Sequence, residues 1–346
     1  MIQNVYTRYG IVYIFRLNAL MCGDNVQKHI LGELEEELLA LEEDLICWVD
    51  TNIELIRQPL KDMILSGGKR LRPAMVLAAS RFGDYNFDKV RQLAVSVELI
   101  HMATLIHDDI IDDSPLRRGI PSLQSRLGKD VAVFAGDYVF CKVFELYAFS
   151  EHFNLLRIVA KTLHQICEGE IKQREDLFNT DLTFKDYIYR IRRKTAMLFA
   201  LSAELGARAS EASEKAVRAL HRYGMYIGIA FQIVDDVLDF SSNNEKLGKP
   251  VGADIREGVI TLPTIFTLKY SHQKDYLKEI LSKGYLDEAD AIKAVEIVKN
   301  SGGLDYAKHI AERYVYKAQQ SIAPLPDIPI KKVLSNISNL IISRNQ

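Results

Sequence analysis

Two aspartate clusters share one spacing: Asp108, Asp109 and Asp112 in DDIID, and Asp235, Asp236 and Asp239 in DDVLD. On an α-helix, residues i and i+4 lie on one face, about 6 Å apart along the axis. Each cluster therefore presents a pair of carboxylates with a third beside it. Both are embedded in apolar sequence, ATLIHDDIID and AFQIVDDVLDF. Crowded carboxylates in such surroundings are unfavourable unless a cation sits among them. Mg2+ fits, because it takes hard oxygen ligands and shares them with substrate phosphates. A solvated acidic helix face is the plainer alternative, and the apolar flanks argue against it.

Basic residues recur near these clusters. GGKRLRP places Lys69, Arg70 and Arg72 after a glycine pair, Arg117 and Arg118 follow the first cluster, Lys194 and Thr195 stand in RIRRKTAML, and Lys246 and Lys249 follow the second cluster. Each alone is an ordinary solvated charge. Together they suggest two anionic groups, one bridged by metal and one gripped by Arg and Lys. His101 lies two helical turns before Asp108 on the same face. Gln232 shares the face of Asp235 and Asp236. Gly224 and Gly228 precede it, and each costs about 1 kcal/mol relative to Ala in a helix. They serve either tight helix packing or room for a substrate.

The elements that must carry these groups are helical. Apolar residues recur at helical spacing over 26–48, 88–112, 131–149, 154–176, 183–207, 213–240, 260–270, 288–300 and 303–322. Thr183 and Asp186 resemble a capping box at the start of one of them. Strand signals are scarce, so the fold class is all-α, a single-domain helical bundle. Residues 113–122 and 241–254 read as loops at the C-terminal ends of the two acidic helices. If those helices run the same way, both loops lie at one mouth of the bundle, above an apolar interior.

Composition bounds the rest. The chain has 346 residues, 48% hydrophobic, with a net charge of −2, which gives no electrostatic footprint for nucleic acid or membrane surfaces. No transmembrane segment is expected, since the apolar run 11–15 is too short to span a bilayer. Residues 1–22 read as an N-terminal extension without a function, and 23–346 as the functional domain. Cys22, Cys47, Cys141 and Cys167 are scattered and read as buried thiols in a reducing cytoplasm.

The motifs GGKRLRP, ELIHMATLIHDDIIDDSPLRRG, GDYVF, EGEIKQ, RRKTAML, FQIVDDVLDF and GKPVGADIREGVITLP span 67–263. This set closely resembles the trans-prenyl diphosphate synthase family, and within it the larger, catalytic subunit of the bacterial heptaprenyl type, which makes menaquinone side chains. The resemblance implies an isoprenoid-synthase bundle with a central apolar cavity. It implies that Lys69, Arg72, His101 and Arg118 bind isopentenyl diphosphate. It assigns Asp108, Asp112, Asp235 and Asp239 to Mg2+ (three ions with substrate bound), with Asp109 and Asp236 beside them, and Arg117, Lys194, Thr195, Gln232 and Lys249 to the allylic diphosphate, farnesyl diphosphate in particular. It also implies a cytoplasmic homodimer, or pairing with a small second subunit.

Product length in such a family follows tunnel depth. Ala103 and Thr104 sit about 6–7.5 Å down the helix axis from Asp108. A bulky aromatic residue there would block growth; Ala103 leaves the path open, so the product should exceed C20, in the C30–C40 range. Leu163, Ile166 and the aromatics of 144–149 are candidates for the floor. Two other readings compete: a class I terpene synthase or squalene-type condensing enzyme, which needs no second basic cluster, and a non-catalytic regulatory subunit, which would not need both acidic clusters.

Overall fold

The computed structural model describes residues 32–148, 150–241 and 251–343. Among the described residues sixteen α-helices follow one another: α1 (Glu35–Val49), α2 (Glu54–Leu65), α3 (Leu71–Ser80), α4 (Phe87–Ile111), α5 (Leu123–Leu127), α6 (Lys129–Ala148), α7 (Leu156–Glu175), α8 (Phe184–Ile191), α9 (Met197–Ala209), α10 (Glu214–Leu238), α11 (Ala253–Arg256), α12 (Leu262–Tyr270), α13 (Lys274–Leu281), α14 (Glu288–Lys299), α15 (Gly303–Ile322) and α16 (Pro329–Ser343). Among the described residues the only sheet is a two-stranded ribbon, β1 (Leu116–Arg117) with β2 (Ile120–Pro121).

Helix α9 is the hub. It packs against α3, α4, α7 and α10, and every residue from Met197 to Ala203 is buried. Helix α3 is buried from Pro73 to Ser80. A helix apolar all round belongs inside a core. Small residues let these two approach closely: a Cβ on Gly206 would lie 2.0 Å from the Val76 carbonyl oxygen. Helix α10 lies between α9 and α15, and the buried Tyr223 hydroxyl donates to the Leu334 carbonyl at 2.6 Å, tying α16 to it. Both acidic helices thus rest on one central helix.

The capping box forms as expected: Thr183 accepts from the Asp186 N–H, while Asp186 accepts from the Thr183 N–H. The expected helix 183–207 is interrupted. Between α8 and α9, Arg192–Ala196 forms a π turn. Helix α2 carries Pro59 in its interior, which hides it from a periodicity reading because proline normally ends a helix. The cysteine expectation is corrected. Cys47, Cys141 and Cys167 are exposed, because helical spacing turns Cys47 away from Leu41, Leu45 and Val49, the buried stripe of α1. Cys22 and the extension 1–22 lie outside the described residues. Among the described residues no helix is long and apolar enough to cross a membrane.

Candidate active site

The first acidic cluster sits where α4 ends. Asn86 starts this helix by accepting from the Lys89 N–H. The Asp112 N–H closes the last turn onto the Asp108 carbonyl at 2.8 Å. The three carboxylates differ: Asp108 is half-buried, Asp112 exposed and Asp109 buried. Asp109 faces inward and accepts from the Arg117 guanidinium, at 2.8 Å from Nε. Its carbonyl accepts from Gln124 Nε2 at 2.7 Å and from the Ser114 N–H at 2.9 Å. Asp109 therefore anchors the loop that carries Arg117 and Arg118.

That loop is a hairpin. Arg117 pairs with Ile120 across a two-residue turn, with φ of 52° at Arg118 and 79° at Gly119. Positive φ at both central residues is the type I′ requirement. Arg118 is held there by donating to the Gly67 carbonyl. The GGKRLRP segment and the hairpin are thereby joined.

A basic cleft results. Arg70 adopts a left-handed φ of 46° just before α3. Its guanidinium donates to Glu98 at 2.7 Å, to Glu42 at 3.2 Å and to the Ile64 carbonyl at 2.8 Å. Lys69 and Arg72 flank it, both half-buried, and the Arg72 guanidinium lies over the Phe199 ring, 4.4 Å from its centroid. Burial, and then the guanidiniums of Arg72, Arg118, Arg117 and Arg70, push the His101 imidazole well below its usual range. The imidazole thus stands among four guanidiniums, of which that of Arg70 is paired with Glu98 and Glu42. Glu98, His101, Met102, Leu105 and Arg118 line a small cavity of about 20 Å³ there.

The second cluster ends α10. Asp235 is exposed, Asp236 buried and Asp239 half-buried. Asp236 accepts from the Tyr187 hydroxyl at 2.6 Å and from Gln232 Nε2 at 2.8 Å. Asp239 accepts from the Ala253 and Asp254 N–H groups at 3.1 and 3.2 Å. Burial raises both carboxyls, and the nearby Asp254 raises them further. Burial also raises Asp108, to about 7, with Glu170 and Asp112 adding to it against the pull of Lys194 and Arg117.

Two consecutive residues join the clusters. Lys194 donates to Glu170 at 2.8 Å. Burial opposes its charge, but Glu170, Asp108 and Asp112 outweigh that and raise its pKa. Thr195 donates to Gln232 Oε1 at 2.6 Å, and so connects through Gln232 to Asp236. Both acidic helix ends therefore open at one mouth. Of the basic residues singled out around the clusters, Lys246 and Lys249 lie outside the described residues. Ala103 is fully buried, and Thr104 turns back to donate to the His101 carbonyl at 2.8 Å. Gly224 and Gly228 serve tight packing rather than open space: a Cβ on either would fall within 2.5 Å of the backbone of Phe199 or Ala196. Among the floor candidates, Tyr147 is buried and hydrogen-bonded to Ser96 at 2.9 Å, while Phe144 is 45% exposed.

Three residues were missed from sequence. Glu170 stood in view in EGEIKQ, Asp254 in GKPVGADIREG and Tyr187 in the capped helix; each acts across the fold on a partner more than fifteen positions away in sequence. The donor set suits a hard cation. All candidate ligands are carboxylates, and burial, with neighbouring carboxylates adding to it, raises the pKa values of Asp108 and Asp239. Among the described residues, no three His, Cys, Asp or Glu side chains close around one point.

Known proteins match most of this chain in sequence and fold. The polyprenyl synthetase family profile matches residues 53–298. Heptaprenyl diphosphate synthase component 2 of Bacillus subtilis is 37% identical over 308 residues, covering 89% of this chain and 88% of that one. The crystal structure of heptaprenyl diphosphate synthase from Staphylococcus aureus superposes with a TM-score of 0.86 at 34% identity, covering 90% of this chain and 99% of that one. A polyprenyl synthase from Caulobacter crescentus, complexed with calcium and isoprenyl diphosphate, gives 0.87 at 32% identity over 92% of this chain and 98% of that one.

Proposed function

The chain belongs to the polyprenyl synthetase family of prenyltransferases, and on that premise we propose that it adds isopentenyl diphosphate units head-to-tail to an allylic diphosphate, with Mg2+, to make an all-trans product longer than C20. The observation that carries this is the Lys194–Thr195 pair, whose side chains address the first and second acidic clusters respectively.

In this reading Lys69, Arg72, His101 and Arg118 grip the isopentenyl diphosphate. Neutral His101 donates one hydrogen bond without adding charge to a cleft already rich in guanidiniums. Lys194, Thr195 and Gln232, with Arg117 and Lys249, orient the allylic diphosphate. Asp108, Asp112, Asp235 and Asp239 would hold Mg2+, which when bound neutralises the departing diphosphate and favours carbon–oxygen heterolysis. The alkene of isopentenyl diphosphate then forms the new carbon–carbon bond to the allylic carbon. The proton lost from the adjacent carbon passes to the released diphosphate, so no side-chain base is required. The apolar core below the mouth excludes water that would quench the allylic cation.

The small side chain of Ala103, two residues after His101 on α4, supports growth past C20 into a quinone side chain such as that of menaquinone, since it puts no ring below Asp108. We also infer a homodimer. Helices α6 and α7 expose Phe134 at 70%, Phe144 at 45% and Ile171 at 62%, apolar side chains that a second copy would cover. A small second subunit is supported by the name of the Bacillus relative, which is called component 2. A cytoplasmic location fits soluble substrates of this kind. The test is Asp108→Ala: Mg2+-dependent incorporation of isopentenyl diphosphate should be abolished, and near-wild-type turnover would end the proposal.

A further inference from the structure

The turn that joins the two clusters is wider than an α-helix, and two glycines wedge it in place. In a π turn, hydrogen bonds run from i to i+5; such turns are rare and occur mostly as single insertions within α-helices. Arg192–Ala196 adopts this form, and neighbouring helices press on it from two sides. A Cβ on Gly169 of α7 would lie 2.8 Å from the Lys194 backbone nitrogen and 2.8 Å from Arg193 Cβ. A Cβ on Gly228 of α10 would lie 2.4 Å from Ala196 Cα and 2.9 Å from Ala196 Cβ. Neither glycine has a positive φ, so backbone proximity is what each provides. Nearby polar side chains complete the grip. Glu170, directly after Gly169, holds Lys194 Nζ at 2.8 Å. Gln232, one turn after Gly228, accepts from Thr195 Oγ1 at 2.6 Å.

We infer that Gly169 and Gly228 are positioning residues: they seat the π turn so that Lys194 and Thr195, though adjacent in sequence, each meet a different acidic cluster. This rests on the assignment of Lys194 and Thr195 to the allylic diphosphate. A β-carbon at either position must push the turn away from its neighbour and carry both side chains with it. The basic cleft of Lys69, Arg72, His101 and Arg118 stands on other elements, and a Cβ on Gly169 meets none of them; a Cβ on Gly228 would also lie 3.1 Å from the Phe199 ring beneath Arg72, so Gly169 is the cleaner probe.

The test is steady-state kinetics of Gly169→Ala and Gly228→Ala, varying each substrate in turn. A displacement of about 1 Å at a binding group raises the allylic KM about tenfold or more in both variants, while in Gly169→Ala the isopentenyl KM stays within twofold of wild type. Gly303→Ala serves as the control for plain overpacking, since its Cβ would lie 2.5 Å from the Pro263 carbonyl oxygen in another part of the fold; it lowers stability and leaves both KM values unchanged. If the alanine variants do not fold, Ala196→Gly removes the methyl group facing Gly228 without adding an atom, and gives the same selective rise at smaller size. An unchanged allylic KM in these variants, or an equal rise in both KM values, overturns the inference. Wild-type protein inactive with both substrates and Mg2+, alone and with a second subunit added, refutes instead the functional assignment. In that event calorimetric binding of Mg2+–diphosphate decides the positioning role: weaker binding by the glycine variants supports it, and unaltered binding overturns it.

Discussion

Mg2+ binding at the mouth should release protons, in an amount set by the burial of Asp108. Burial, with Glu170 and Asp112 nearby, raises this carboxyl to about 7 against the pull of Lys194 and Arg117. Such a group is about half protonated at pH 7, about nine-tenths at pH 6 and about one-tenth at pH 8. A metal ligand must be deprotonated, so the ion displaces that proton. Asp239, also raised by burial and by Asp254, adds to the release. The sign follows: protons compete with metal below the raised pKa values, so affinity climbs as pH rises through about 7 and about 8 and levels off above them. Calorimetric Mg2+ titrations in two buffers of different ionisation enthalpy give the proton count directly. Wild type should release at least about half a proton per site at pH 7. Asp108→Asn cannot contribute its share, so the difference between the two proteins should be about 0.9 at pH 6, about 0.5 at pH 7 and near zero at pH 9. Equal heats in both buffers at pH 6 and 7, or a difference that does not shrink as pH rises, would refute the reasoning.

Other expectations follow from particular contacts. Tyr187→Phe removes a buried hydroxyl that donates to Asp236 at 2.6 Å; a lost hydrogen bond to a charged group costs about 1.5–3 kcal/mol, readable in denaturant unfolding, and loosening a group beside the metal ligands weakens Mg2+ binding about tenfold. Arg70→Ala leaves Glu98 and Glu42 without the guanidinium at 2.7 and 3.2 Å; with both partners largely buried, the loss should be about 3–5 kcal/mol, and an unfolding curve within 1 kcal/mol of wild type would contradict that burial argument. Ala103→Phe inserts a ring where the methyl is fully buried; stability should fall by about 1–3 kcal/mol and chromatography should show products shortened to C20 or less, whereas an unaltered product profile would remove Ala103 from the growth path.

Much of this site could be read from the chain because its motifs are local. The spacing of DDIID and DDVLD, the helical periodicity around them and the Thr183–Asp186 cap are all decided within a turn or two of helix. The split of labour among equivalent aspartates was not legible. Asp109 and Asp236 look like their neighbours in sequence, yet each faces inward to a partner: Arg117 across a hairpin, and Tyr187 from α8. The π turn was hidden for a similar reason. RIRRKTAML reads as ordinary helix, and only the close approach of Gly169 and Gly228 reveals why it widens. The exposed cysteines misled because hydrophobic type was taken for burial, whereas their helix faces turn outward. Helix α2 was lost behind Pro59.

The most direct measurement is product sizing. Purified protein, farnesyl diphosphate, isopentenyl diphosphate and Mg2+ should together yield all-trans polyprenyl diphosphates longer than C20, with none formed when isopentenyl diphosphate or Mg2+ is left out. A homodimer should suffice; activity that appears only on adding a small partner would locate the second subunit instead. Cyclised or hydrolysed farnesyl products formed without isopentenyl diphosphate, or no elongation under either condition, would contradict the account.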